Sequence, residues 1–419
     1  MSLTLDTPAR APTTKSDRYL VMDVLRGFAL LGVMLMNLYE FGGVDVVITA
    51  DQLAALPSAA LDGHVEFWLK LFVSGKANTL FAFLFGLGFW IQMERLEARG
   101  APFKAIYLRR AAILLVLGLV HLLALFNWDI LHIYGITAFI LFACRGLTDR
   151  ALLWIGIPLL LFAQPLVTWI FEFSGITDRF YDEAAAEAGV LARQAAAQSG
   201  EFGAFLASIN TDYFIWFMSG GLLGWIFYAL GRFFMGAWVA RRGWIQNAGD
   251  HLSMFRLWLW PLLVTGLLLE LAHLLTEDLP EELLFGQIEL LRTALHVVAT
   301  PLIAAGYLCA IVLLFHRRSL RWLVKPFAPV GQMALTNYLT QSVAIILILT
   351  SVGPGLGLAG KAGASTFVPL VMAVFTAQII ISHFWMKFFA FGPAEWLWRA
   401  LTYGTRPRFL RLARPAEST

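Results

Sequence analysis

The stretch LVMDVLRGFALLGVMLMNL, residues 20–38, decides the fold class of this chain. It is long and apolar enough to cross a bilayer as one α-helix, since a span needs about 20 mainly apolar residues. Of the 419 residues, 59% are hydrophobic and only 14% are charged, and the formal net charge is +3. An ordinary soluble domain carries about 25% charged residues. The sequence therefore predicts an all-α, polytopic integral membrane protein, and its composition argues against a disordered or nucleic-acid-binding chain.

Similar apolar segments recur to the end of the chain, so we predict about ten transmembrane helices, of which the fourth is short for a span. The predicted spans lie near 20–41, 67–93, 107–126, 129–145, 151–173, 211–240, 256–274, 293–315, 333–352 and 366–389.

Charge distribution predicts how these spans are oriented. Lysine and arginine concentrate in alternate connections, such as the one with Arg317 and Arg318, whereas the other connections are mainly acidic. Basic residues favour the cytoplasmic side of a membrane. We therefore expect a multi-pass protein of the bacterial cytoplasmic membrane with both termini in the cytoplasm.

The same pattern divides the chain into three parts. We predict a disordered cytoplasmic tail at 1–17, a transmembrane domain at 18–389, and a cytoplasmic interfacial helix with a basic tail at 390–419. The transmembrane domain has two long outer loops, 42–66 and 174–210. Loops of this length are often functional. The Ala-rich part of the second loop, 182–198, predicts a helix.

Ionisable side chains inside a span are costly and are functional candidates by default. Asp23 and Arg26 are three residues apart and share a helix face. Asn37 follows Arg26 by eleven residues, so it lies on that face roughly 16 Å further along. We interpret this face as part of a functional site. The alternative interpretation is that Asp23 and Arg26 form a structural pair that links neighbouring helices.

Histidines form a second group, which topology places near the outer side. His121 lies near the end of the third span, Asp129 lies in the turn after it, and His64 opens the second span. A histidine beside a carboxylate is the minimum for a positioned general base. A solvated or capping role at the membrane interface remains the alternative for each histidine.

Lys76 lies in a polar break, Ser74 to Thr79, between two apolar segments. Such a break predicts a kinked or unwound helix that lines a cavity. Later charged groups, including Arg232 and Glu270, are interpreted as structural. The sequence contains neither a pattern typical of a metal site nor a pair of loop cysteines that would indicate a disulfide.

Several motifs, in order, resemble those of the bacterial YeiB-like membrane proteins, a family with a domain of unknown function. The motifs are Met22 to Gly32, Gly75-Lys76 with Thr79 to Phe81 and Leu84 to Gly86, Gly118 to His121 with Asp129 to Leu131, Gly331 with Met333 to Leu339, and Gly392-Pro393 with Glu395 to Arg399.

The first helix is also similar to that of transmembrane acyltransferases such as heparan-α-glucosaminide N-acetyltransferase. That resemblance implies an acyltransferase-like bundle, an Asn at the position of Asn37, and a catalytic histidine in the following loop, where His64 is best placed. The basic inner face suits the phosphates of an acyl-CoA donor.

We therefore expect acyl transfer from cytoplasmic acyl-CoA to a small-molecule or lipid acceptor at the outer side. His121, oriented by Asp129, would be the base or acid, with His64 as the competing base and Asn37 as a donor to the oxyanion. Arg26, with Asp23, and Lys76 would position acyl-CoA.

The alternative function is that of a transporter or flippase of a small anion, lipid or metabolite. We expect contacts with membrane lipids, no metal and no nucleic acid, and the oligomeric state stays open.

Overall fold

A computed structural model describes residues 15–41, 44–98, 103–180, 183–277, 279–280, 283 and 287–411. Most of the predicted tail at 1–17, and residues 412–419, lie outside this range. The α-helices are α1 Lys15–Met36, α2 Val44–Val47, α3 Ala50–Ala54, α4 Ala59–Phe72, α5 Lys76–Ala98, α6 Phe103–Ala124, α7 Leu131–Ala143, α8 Asp149–Phe173, α9 Thr177–Phe180, α10 Glu183–Gln198, α11 Phe202–Met218, α12 Gly221–Arg242, α13 Leu252–Thr276, α14 Ile288–His316, α15 Arg321–Val324, α16 Phe327–Gln332, α17 Ala334–Leu349, α18 Ala364–Phe388 and α19 Pro393–Tyr403. A π-helical turn, Asn37–Phe41, extends α1.

The predicted all-α, polytopic membrane fold is confirmed. Within the described residues, eight helical segments are long and apolar enough to cross a membrane. A ninth span results if Arg321–Gln332 and Ala334–Leu349, which meet at a bend of 86°, count together. The predicted fourth span is the shorter apolar helix α7, which a 3-10 turn extends to Gly146. Each predicted span thus contains an apolar helix, but these helices differ in length.

Two glycines divide helices that hydropathy alone would join. Gly75 has a φ of +70° and separates α4 from α5 in the predicted polar break, and Lys76 is the first residue of α5. Gly220 has a φ of +86° and separates α11 from α12. Glycine adopts such positive φ values at little cost, whereas other residues rarely do. The predicted span 211–240 is therefore two helices, and α11 also occupies the end of the predicted loop 174–210.

Glycines also allow two close helix crossings that place the site. A Cβ on Gly331, in α16, would fall on the backbone oxygen of Asp23 in α1. A Cβ on Gly118, in α6, would fall on the backbone of His132 in α7. Small residues let helix backbones approach in membranes. The crossing at Gly118 brings the end of α6 beside the start of α7.

The outer surface of the bundle is apolar on several spans. Trp154 and Phe173 on α8, Leu268 on α13 and Ile381 on α18 are all exposed. Large exposed apolar side chains on several spanning helices suit contact with lipid or a partner rather than water. The predicted helices at 182–198 and in 390–419 are also present, as α10 and α19.

Candidate functional site

A group of buried polar side chains lies where α6 ends and α7 begins. Asp129, in the connecting turn, is 3% exposed. Its Oδ1 atom lies 2.9 Å from Nδ1 of His121 in the last turn of α6, and its Oδ2 atom lies 2.9 Å from Nδ1 of His132 in the first turn of α7. Oδ2 also accepts the backbone N–H of His132 at 2.8 Å. One carboxylate therefore orients two imidazoles and joins two helices.

Each histidine also forms a hydrogen bond with a hydroxyl group through its second ring nitrogen. His121 Nε2 lies 2.9 Å from Oγ of Ser342 on α17, and His132 Nε2 lies 2.9 Å from the hydroxyl of Tyr213 on α11. An ionised carboxylate only accepts hydrogen bonds, so we assign a proton to each Nδ1 and an acceptor role to each Nε2. We call these five residues, Asp129, His121, His132, Ser342 and Tyr213, the Asp129 cluster. Ser342, His121 and Asp129 follow the order of nucleophile, base and orienting carboxylate.

Tyr338 holds the turn that carries Asp129. It lies one turn before Ser342 on α17, and its ring centroid is 5.3 Å from that of His121. Its hydroxyl accepts the backbone N–H of Ile130 at 3.2 Å and donates to the backbone oxygen of Trp128 at 3.4 Å. The turn is thus fixed from both sides of Asp129.

A small cavity of about 20 Å³ adjoins the Asp129 cluster. Its walls include Asn37, Asn78, Asp129 and Tyr338. That volume is enough for a water molecule. The fold therefore brings together Asn37 and Asp129, both predicted as site residues, and His121 contacts Asp129 directly.

Tyr338 also lines a larger, positively charged cavity of about 170 Å³, which we call the basic pocket. Arg26 of α1, Arg110 of α6 and Arg399 of α19 contribute to its walls. The Arg110 guanidinium carbon lies 3.6 Å from the ring centroid of Trp398, and its Nε atom has no hydrogen-bond partner among the described residues. The pocket therefore combines three guanidinium groups with an unsatisfied donor.

Two carboxylates lie near these arginines. Asp23 Oδ1 is 3.2 Å from Nη1 of Arg26, so these two residues, which were predicted to share a helix face, form an ion pair. Glu395 instead accepts two backbone N–H groups and the Thr336 hydroxyl at the start of α17. Burial raises the pKa of Glu395, although the hydrogen bonds with Thr336 oppose that rise. Three arginines and two carboxylates leave the basic pocket with excess positive charge.

Lys76 is held away from the basic pocket. It is fully buried, and its Nζ lies 2.5 Å from Oε1 of Glu270 on α13, which His296 of α14 also contacts through Nδ1 at 3.0 Å. Gly88, which lines the basic pocket beside Arg26, follows Lys76 by twelve residues in α5. Twelve residues of helix span about 18 Å. Lys76 is therefore not part of the basic pocket that Arg26 lines.

His64 also lies apart from the Asp129 cluster. It is exposed on α4, and its Nδ1 lies 2.7 Å from the backbone oxygen of Ala60 one turn earlier. It is not among the residues that line the small cavity or the basic pocket.

Three members of the Asp129 cluster were not predicted as site residues. His132 follows Asp129 by three residues, a local spacing that could have indicated the contact. Ser342 and Tyr213 come from distant helices, and Ser342 is 221 residues from His121 in sequence. Ser342 is one of several polar residues near the start of the ninth predicted span. No sequence pattern indicated which of them faces His121.

The spanning helices define the class, a multi-pass membrane protein, and comparison with known proteins gives the family. The chain is 31% identical to the uncharacterized protein YxaH of Bacillus subtilis over 412 residues, which cover 94% of this chain and 96% of that protein. It is 28% identical to the uncharacterized protein YeiB of Escherichia coli over 436 residues, with 96% and 99% covered. Both relatives are bacterial, and each similarity extends over nearly the whole length of this chain.

A family model described as "Protein of unknown function (DUF418)" matches residues 239–405. The chain belongs to this YeiB-like DUF418 family. No solved structure matches it.

Proposed function

We propose that the protein is a membrane-embedded acyltransferase of the bacterial cytoplasmic membrane. In this proposal the basic pocket opens to the cytoplasm and takes acyl-CoA, and the acyl group passes to an acceptor at the opposite side. The observation that carries the proposal is the hydrogen-bonded series Ser342, His121 and Asp129, with both hydrogen bonds at 2.9 Å.

The chemistry uses Ser342 as a nucleophile. Its Oγ attacks the thioester carbonyl carbon while His121 Nε2 takes the hydroxyl proton. The carbon–sulfur bond then breaks, His121 returns the proton to the sulfur, and CoA leaves as a thiol. An acceptor hydroxyl or amine attacks the acyl-serine, gives its proton to His121, and Ser342 recovers that proton. Asp129 orients the imidazole and stabilises its charged form.

Residues that line the two neighbouring cavities would bind the donor and stabilise the oxyanion. Arg26, Arg110 and Arg399 can hold the phosphates of the donor by charge-assisted hydrogen bonds. Asn37 lines the small cavity beside Asp129, where its amide can donate to a developing oxyanion. Tyr338 lines both spaces, whereas Ser342 is not among the described residues that line either, so the proposal requires the Tyr338 ring to move and open Ser342 to a donor in the basic pocket.

A transporter or flippase of a small anion, lipid or metabolite is the second candidate. The observation that favours it is a series of adjoining cavities. Tyr338 lines both the basic pocket and the small cavity and separates them. Asn78 and Trp128 line the small cavity and also a third cavity, of about 350 Å³. Alternating access to such spaces requires no covalent step. Formation of an acyl-serine therefore separates the two candidates.

The test measures acyl transfer to the purified protein. Wild-type protein in detergent is mixed with acetyl-, octanoyl- or palmitoyl-CoA, and both CoA thiol release and the intact protein mass are recorded. We expect release of CoA and an acyl adduct that peptide mapping assigns to Ser342. In Ser342→Ala and His121→Ala, release should fall by at least about 100-fold, the lower range for loss of acid–base catalysis.

The matched control is Ser382→Ala. Ser382 is also fully buried, on α18, where it bonds Asn337 at 3.0 Å, so this change tests the loss of a buried hydroxyl alone. Ser382→Ala and His64→Ala should keep the wild-type rate. A folded Ser342→Ala variant with full activity would refute the proposed nucleophile. Wild-type protein that neither releases CoA nor gains mass, but carries solute into liposomes, would favour the transporter.

A further inference from the structure

Arg232 is a buried cation at the middle of a spanning helix. It lies eleven residues after Gly221 and ten before Arg242, the two ends of α12, and is 3% exposed. A charge at this depth is costly unless a partner stabilises it. Among the described residues, no salt bridge involves Arg232.

Neutral groups hold the guanidinium in place. Its Nε donates to Oγ1 of Thr79 at 3.0 Å, and Nη1 donates to the backbone oxygen of Tyr228 at 2.9 Å. The guanidinium carbon lies 3.1 Å from the centroid of the Tyr228 ring. These contacts fix the direction of the side chain but leave its charge uncompensated.

Arg232 lies between two cavities of different character. The apolar cavity, of about 420 Å³, is lined by side chains such as Leu80, Phe83, Met235 and Leu308. The polar cavity, of about 350 Å³, is lined by groups that include Glu40, Gln164, His296 and Thr300. Arg232 contributes to the walls of both. Each volume is within the range of small-molecule binding sites, about 300–1,000 Å³.

We propose that Arg232 binds the anionic headgroup of a single-chain amphiphile whose hydrocarbon chain occupies the apolar cavity. A guanidinium group suits a carboxylate or a phosphate, because its fork of N–H donors matches either anion. Burial of the chain is favourable in proportion to the apolar area removed from water. Glu40 faces the polar cavity and would disfavour a second negative charge there, so a singly charged headgroup is expected.

This site does not depend on the proposed acyl transfer. It uses neither Ser342 nor the basic pocket. The polar cavity does share Asn78 and Trp128 as lining residues with the small cavity beside Asp129. A headgroup bound at Arg232 would therefore occupy a cavity that adjoins the one beside the Asp129 cluster.

The test measures binding of tritiated palmitate to full-length protein in nanodiscs of phosphatidylcholine. We expect saturable binding that unlabelled palmitate displaces and that hexadecanol, with a comparable chain but no charge, displaces at least tenfold more weakly. Arg232→Gln should weaken palmitate binding at least tenfold. The matched control, Arg242→Gln, removes a partly exposed cation at the end of the same helix and should bind as wild type.

A second variant tests the chain rather than the headgroup. Ala305 lines the apolar cavity, so Ala305→Phe should fill it and weaken binding while Arg232 is untouched. Displacement by lysophosphatidylglycerol better than by palmitate would support the site and identify a lipid phosphate as the headgroup. Equal displacement by hexadecanol and palmitate, or full binding by a folded Arg232→Gln variant, would overturn the proposal.

Discussion

At the scale of single residues, Lys76 and Glu270 are two buried charges that compensate each other. Lys76 and Glu270 are 0% and 1% exposed at their side chains, and His296 adds a second contact to Glu270. A buried ion pair adds little net stability over apolar residues, but loss of one partner leaves the other charge unpaired. Lys76 is therefore best explained as one half of a pair that joins α5 to α13.

This pairing predicts that the single variant Lys76→Met is less stable than the double variant that also removes Glu270. Lys76→Met should lower the free energy of unfolding by about 3–5 kcal/mol, because it leaves Glu270 ionised and buried. Lys76→Met with Glu270→Met should recover most of that loss. Thermal unfolding in detergent measures both variants.

Lys70→Met is the control for this comparison. Lys70 pairs with Glu66 and Glu277 at 34% side-chain exposure, where an ion pair contributes about 0–1 kcal/mol. A double variant less stable than Lys76→Met would contradict the pairing.

At the scale of helices, backbone contact at glycines sets which elements are neighbours. Gly331 of α16 and Gly27 of α1 face each other's helices so closely that a Cβ on either would fall on a backbone oxygen. This crossing holds Asp23 and Arg26 beside the basic pocket, since Arg26, Gly331 and Gln332 all line it. The motifs around Gly27 and Gly331 therefore form one packing unit.

We predict that Gly331→Ala separates α1 from α16. The methyl group would meet backbone atoms, which cannot rotate away as a side chain can, so the cost should match overpacking of a core, about 1–3 kcal/mol. A lower unfolding temperature and a lower folded yield in size-exclusion chromatography would report it.

Gly203→Ala is the matched control. A Cβ there meets no other atom within 4 Å, and alanine favours the helix α11. Its stability should be unchanged or slightly raised. Equal stability of Gly331→Ala and Gly203→Ala would contradict the close crossing.

At the scale of the whole molecule, the proposed donor site requires one orientation of the bundle in the membrane. Acyl-CoA reaches the basic pocket only if the end of the bundle that bears α19 faces the cytoplasm. The concentration of basic residues in alternate connections favours that orientation, because basic residues are retained on the cytoplasmic side.

Cysteine labelling in intact cells tests this orientation. In a Cys144→Ser, Cys309→Ser background, a membrane-impermeant maleimide should label His64→Cys in cells with a permeable outer layer. It should label Arg406→Cys only after the inner membrane is opened. Both positions are exposed, so accessibility differs only by side. The reverse pattern would contradict cytoplasmic donor binding.

Local sequence patterns determined the membrane class, the apolar helices and the contacts between near neighbours. Apolar length sets the spans, since a bilayer requires about 20 such residues in one helix. Helical spacing predicted the pair of Asp23 with Arg26, and the short turn after α6 predicted Asp129 beside His121. These features depend on residues within a few turns of one another, so periodicity suffices to find them.

Only the tertiary structure decided which distant groups meet. Ser342 joins His121 across 221 residues, Lys76 meets Glu270 across 194, and Arg232 lies between two cavities formed by several helices. Helix faces that pack on protein or on lipid are both apolar, so hydropathy does not distinguish neighbours. Close packing at glycines and the fit of side chains between helices select the partners, and this selection depends on the whole bundle at once.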